Sequence, residues 1–172
     1  MNEVISKTGF PRAGFRRRLA AMVYDLLVTA AIALAAALIG LLILQLFITV
    51  GVFSLGNHDE ISTWLQATAF GHLIFQAYLL FCITYFYIWF WSKGGQTVGM
   101  KTWRLRVQNE NGHDISKKQA LIRLVCSVFG LGNLWLLLAR RYRLSLQDYA
   151  AKCEVVVLTK EANQHKNWQK LY

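Results

Sequence analysis

From Leu19 to Leu55 the chain carries one charged side chain, Asp25. A helix needs about 20 apolar residues to cross about 30 Å of hydrocarbon, so residues 19–50 are read as a first membrane span. A second apolar run, residues 70–91, ends in Tyr85, Phe86, Tyr87, Trp89, Phe90 and Trp91. Trp and Tyr favour the membrane–water interface, so this end marks the exit from the bilayer. A third run, residues 120–139, is apolar except for Arg123 and is split by Gly130-Leu131-Gly132-Asn133. Lys117, Lys118 and Arg123 lie before the split, and Arg140, Arg141 and Arg143 follow it. A full third span would carry the later cluster outward, against the positive-inside bias, whereas a re-entrant or surface-lying helical hairpin keeps both ends inside. Residues 102–107 alternate like a strand, Asn109-Glu110-Asn111-Gly112 offers a turn, and Glu154 to Leu158 reads as a second strand. The expected fold is an all-α membrane protein: two transmembrane helices, a broken third apolar helical segment, and a small cytoplasmic β-hairpin or strand element. Segments 103–107 and 154–158 are expected to pair.

Charge orients the chain. The loop 51–69 has His58, Asp59 and Glu60 but no Lys or Arg, while every other connecting segment is basic. That places the loop outside and both termini in the cytoplasm. Within the loop, residues 61–65 are expected to form a short interfacial helix around Trp64. At 172 residues with 55% hydrophobic content, one proline and a net charge of +10, the chain reads as a single integral membrane domain. Its basic residues flank apolar runs, which fits a bilayer with anionic headgroups and not nucleic acid. Cys82, Cys126 and Cys153 form no C-x-x-C pair, and the four histidines are scattered, so free buried thiols and no metal site are expected. The basic start precedes an apolar run far longer than the core of a cleavable signal, so it is read as an uncleaved span. Ser92 to Thr102 imitates a phosphate loop, but Met100 follows Gly99 where a lysine is required, and a membrane helix precedes it instead of a strand.

Asp25 is the residue that needs an explanation. A carboxylate inside a span carries a penalty of at least ~2.5–3.5 kcal/mol and normally has a partner. Arg18 stands seven positions earlier, on nearly the same helix face and about 10 Å away along the axis. A stripe of small residues, Asp25, Thr29, Ala33, Ala36, Ala37 and Gly40, continues that face and would let a second helix approach closely. His72 and Gln76 share a face of the second run and suit ordinary hydrogen bonding. For Asp25 two readings stand side by side: a buried structural pair, or a group that binds what the protein moves.

The assembled pattern resembles the RDD family of bacterial membrane proteins, named for one arginine and two aspartates. Arg18, Asp25 and Asp148 fall at matching places, and Gly95-Gln96-Thr97-Val98-Gly99 matches the family's G-x-T-x-G stretch. The resemblance covers residues 12–158: 1–18 is a basic cytoplasmic arm, 19–158 the RDD-like membrane domain and 159–172 a polar tail. Two departures stand out. Lys152-Cys153 replaces a frequent Gly-Thr pair, and Met100 comes before the basic Lys101. The resemblance implies a multi-pass protein of the bacterial inner membrane that transports ions or small ligands, with no cofactor and no catalytic chemistry. Two spans cannot enclose a path alone, so transport implies a homo-oligomer, with Arg18, Asp25 and Asp148 as the ion-pair or transport residues and the ligand unspecified. The alternative is a non-transporting scaffold or lipid- or partner-binding module, which needs only the basic face and the aromatic interface. No nucleophile–base pair speaks for an enzyme.

Overall fold

The first apolar run forms one unbroken helix, α1 (Phe15–Thr49), in a computed structural model that describes residues 5–52, 54–56, 58, 60–127, 132–138 and 144–164. The helix begins ahead of the apolar pattern, because Arg16 to Arg18 are good helix formers and nothing after Gly14 interrupts them. The arginine cluster is therefore the first turn of α1 and not the end of an arm. There follow α2 (Ile61–Ala67), α3 (Ala69–Gly94), α4 (Val98–Thr102), β1 (Leu105–Gln108), α5 (Lys117–Ser127), α6 (Trp135–Leu138), α7 (Leu146–Ala150) and β2 (Glu154–Val157). The described residues of the third apolar segment form α5, a 3-10 turn at 132–134 and α6. Gly130, Leu131 and the basic cluster at 140–143 lie outside the described residues.

The chain divides into two compact units, Thr29–Tyr85 and the remainder. In the first, Ala36 and Gly40 of the small-residue stripe of α1 meet α3. The Tyr78 hydroxyl donates to the Ala36 carbonyl at 3.2 Å, and the phenyl ring of Phe75 and the phenol of Tyr78 lie directly over Gly40. His72 and Gln76 bond to each other one helical turn apart, at 2.7 Å. Apart from Leu65, which is buried, many apolar side chains of this unit turn outward: Leu34 is 73% and Phe70 71% exposed. Of the most apolar stretches of α1 and α3, only 11% and 0% are buried within the protein. A core helix of a soluble fold would be covered, whereas apolar helices left bare over this length suit a lipid solvent.

The second unit is built on a two-stranded antiparallel sheet with Leu105 opposite Val157, Val107 opposite Val155 and Gln108 opposite Glu154. The long-range pairing of the two strand-like segments is therefore present. The local hairpin is not: the turn at Asn109–Gly112, closed by Gly112 N–H to the Asn109 carbonyl at 2.9 Å, leads into α5. Alternation sorts the strands onto two faces. Leu105, Val107, Cys153 and Val155 join Ala13, Ala21, Trp91, Met100, Ile115, Ala120 and Ala151 in the main core, while Val156, Leu158 and Ala162 form a smaller cluster with Phe10.

The arm is built into the fold: Ala13 N–H donates to the Val155 carbonyl at 2.8 Å and Val157 N–H to the Pro11 carbonyl at 2.8 Å, so residues 11–13 lie beside β2 as an added edge. Buried Glu154 fixes the arm further, accepting from Arg12 at 2.9 Å and from the Ser6 hydroxyl. The tail also starts out packed, since Ala162 is buried and Asn163 accepts from the Gln96 amide at 2.9 Å. The remainder of the tail, 165–172, lies outside the described residues.

Candidate functional site

Asp148 sits at the third position of α7 and reaches back to the Ser145 N–H at 3.0 Å, one half of a capping box. The same oxygen, Oδ2, accepts from Arg18 Nη1 at 2.5 Å, and the other, Oδ1, accepts from Arg123. Arg18 spreads its remaining donors over the Ser145 hydroxyl (3.1 Å) and the Ala13 carbonyl (3.1 Å). Arg123 extends to Cys153 Sγ at 3.4 Å and lies 5.2 Å from the centre of the Trp91 ring. All three charged residues are buried, Asp148 completely. The cluster thus ties the start of α1 to α5, α7 and the end of α3.

Asp25 is held differently. Its Oδ2 accepts from the Thr97 hydroxyl at 2.6 Å and its Oδ1 from the Gly99 N–H at 2.8 Å. This gives each letter of the G-x-T-x-G stretch a task. Gly95 has φ +65° and a β-carbon there would lie 2.3 Å from the Val107 carbonyl, so the turn out of α3 admits only glycine. Thr97 is the N-cap of α4. Gly99 lies against α1 so closely that a β-carbon would be 2.3 Å from the Ala21 carbonyl. Arg18 and Asp148 therefore meet, while Asp25 joins the loop and not Arg18. Among the described residues no basic side chain forms an ion pair with Asp25, and no group of His, Cys, Asp and Glu gathers as a metal site would need.

Arg123 is the residue that sequence reasoning assigned to the wrong task, as a membrane-flanking charge. The signal was present, since a lone cation inside an apolar run needs a counter-charge as much as Asp25 needs donors. With Arg123 counted, the buried charges on Arg18, Arg123, Asp25 and Asp148 sum to zero.

Burial pushes the Asp148 carboxyl up, but the Arg18 and Arg123 guanidiniums, helped by the Ser145 N–H, hold it well below the usual carboxylate range. A depressed folded value means that the ionised group contributes stability at every pH above the unfolded value of about 3.9, and that the contribution drains away as pH falls below it. Thermal unfolding in detergent should show this acid limb in the native protein and a flatter one in Asp148→Asn, where this position no longer titrates. Burial also pushes the Cys153 thiol up, so it stays protonated; all three cysteines are free.

Lys152 adopts φ 51°, the left-handed region in which glycine is at ease. This accounts for the Gly of the resembled Gly-Thr pair. Lys152→Gly should stabilise by up to about 1.5 kcal/mol, the roughly 1–2 kcal/mol of relieved strain less the ~0.5–1 kcal/mol of added unfolded-chain freedom. An unfolding midpoint below the native one would count against that strain.

The sequence model of the RDD family matches residues 12–152. No curated protein and no solved structure matches the chain.

Proposed function

The chain belongs to the RDD family, and on that premise we propose that it is a multi-pass protein of the bacterial cytoplasmic membrane that moves protons and a small cation as a homo-oligomer. One observation carries the reading: the Asp25 oxygens rest on neutral donors, Thr97 and Gly99, while Arg18 is engaged by Asp148. A carboxylate held this way can take up a proton or a small cation without first displacing an arginine. The Thr97 hydroxyl can turn from donor to acceptor when Asp25 is protonated, so both states keep a hydrogen bond.

Helix length supports the placement. The 35 residues of α1 extend about 52 Å at about 1.5 Å per residue, well beyond the ~30 Å of hydrocarbon. Thr29 to Thr49, the part in the first unit, extends about 31 Å and would fill that thickness. Asp25 would then lie at the inner boundary, within reach of water. The basic start of α1 and the basic segment 92–119, set against a 51–69 loop without Lys or Arg, support cytoplasmic termini. Two spans leave a path open to lipid, hence the oligomer. The proposal includes no catalytic step.

Proteoliposomes loaded with ion-sensitive dye provide the test. The native protein is expected to give flux and Asp25→Asn to lose it while still inserting and forming the native oligomer. Normal flux in Asp25→Asn would end the role given to Asp25. A second reading, a non-transporting module for lipid or partner binding, is favoured by the closure of the Arg18–Asp148–Arg123 cluster on itself, and native protein without flux for any monovalent cation would select it.

A further inference from the structure

On the outside of the loop that binds Asp25 lies a surface with its own chemistry. Gly99 and Met100 of α4 face inward and are buried, while Val98, Lys101 and Thr102 face outward and are exposed. Trp103 follows, 37% exposed, and its ring meets the half-exposed Tyr24 of α1 edge-on, with centroids 6.4 Å apart. Exposed Arg17 lies seven residues before Tyr24, on nearly the same face of α1 and about 10 Å away along the axis. Exposed Arg104 comes after Trp103.

Arg104 stands there under strain. Its φ is +56°, and its backbone is fixed between Lys101, whose carbonyl accepts from it at 3.2 Å, and Leu158, whose N–H donates to it at 2.8 Å. Glycine would relieve that conformation, so Arg104→Gly removes the cationic side chain without straining the backbone. Neither 14–24 nor 93–109 contains an Asp or Glu, and the tail segment packed here, whose Leu158 and Asn163 bond to the Arg104 and Lys101 carbonyls, brings one acid, the exposed Glu161, against the three cations. An aromatic pair beside an excess of cations at the basic end of an apolar helix matches an anionic phospholipid, with rings at the level of the glycerol and cations on the phosphate.

We infer that Arg17, Lys101 and Arg104, with Trp103 and Tyr24, form a binding site for the headgroup of an anionic phospholipid. The site rests on the basic end of α1 meeting a membrane surface and not on transport. Through α4 it adjoins the Thr97 and Gly99 donors of Asp25, so an occupied site would steady the loop that holds the carboxylate.

Full-length protein in mixed micelles, titrated with phosphatidylglycerol or phosphatidylcholine and read by native mass spectrometry, tests it. Each cation near a charged surface contributes about five-fold in affinity, so Lys101→Gln with Arg104→Gly should lose roughly twenty-five-fold for phosphatidylglycerol and nothing for phosphatidylcholine. The exposed pair Lys117→Gln with Lys118→Gln should lose less than about five-fold. Native phosphatidylglycerol affinity in the first double variant, or equal losses in both, would overturn the site. Displacement by millimolar inorganic phosphate would also overturn it, since the ligand would then be the free anion. If the double variant unfolds, Lys101→Gln alone, on the outward face of α4, should still lose about five-fold; no loss there overturns the site too. Protein that fails to float with liposomes would overturn the membrane reading itself, an outcome distinct from insertion without lipid preference.

Discussion

Asp148→Ala is expected to destabilise the protein by roughly 3–5 kcal/mol, the range for removing one partner of a buried ion pair, and to lower the amount of folded protein recovered from membranes. The change strips two buried guanidiniums, Arg18 and Arg123, of the carboxylate they share and takes the capping acceptor from α7. Two buried cations would then face each other across the space it leaves. Asp148→Asn keeps the shape and one acceptor, so a smaller loss is expected. The decisive comparison is Asp148→Ala with Arg123→Leu, which removes one of the stranded charges. Replacing both members of a buried pair can be nearly neutral where removing one is not. The double variant should therefore unfold at a higher temperature than Asp148→Ala alone. If it unfolds lower still, the cluster is not held by charge pairing, and the anchoring of α1 to α5 and α7 must come from packing.

The features legible in the sequence were those with a period or a cost. The long apolar runs, the strand-like segments 103–107 and 154–158, and the penalty on Asp25 all point to residues the structure uses. The resemblance groups Arg18 with Asp148 as ion-pair residues, and the structure joins these two. What stayed hidden were the partners supplied from far along the chain. Asp25 was matched to Arg18 because a helix face can be computed from spacing, whereas the Thr97 and Gly99 donors arrive from 72 and 74 residues away. The G-x-T-x-G stretch was noticed for its likeness to the family, yet nothing local to it says that it grips a carboxylate. The packing of the arm is hidden for a similar reason: nothing local to Arg12 and Ser6 says that they answer buried Glu154.

Gly99→Ala should be the next most damaging single change, on the order of 3 kcal/mol or more by the sum of the lost bonds to a buried carboxylate. The added β-carbon would lie 2.3 Å from the Ala21 carbonyl and 2.8 Å from the Asp25 amide nitrogen. Both are backbone atoms of α1, so no side chain can swing away, and α4 itself must retreat. A retreat of about 1 Å takes the Gly99 N–H and the Thr97 hydroxyl beyond hydrogen-bond distance together, leaving Asp25 buried with neither donor. Thr97→Val separates the two causes. It keeps the shape, removes only the hydroxyl, and should lower stability by about 1–3 kcal/mol. Asp25→Asn separates them further, because an amide without charge loses less when its donors withdraw. Gly99→Ala placed on Asp25→Asn should therefore destabilise by less than it does on the native chain, while the steric part remains. An equal loss in both backgrounds, read from unfolding midpoints in detergent, would mean that Gly99 serves close packing alone and that the carboxylate does not depend on the loop.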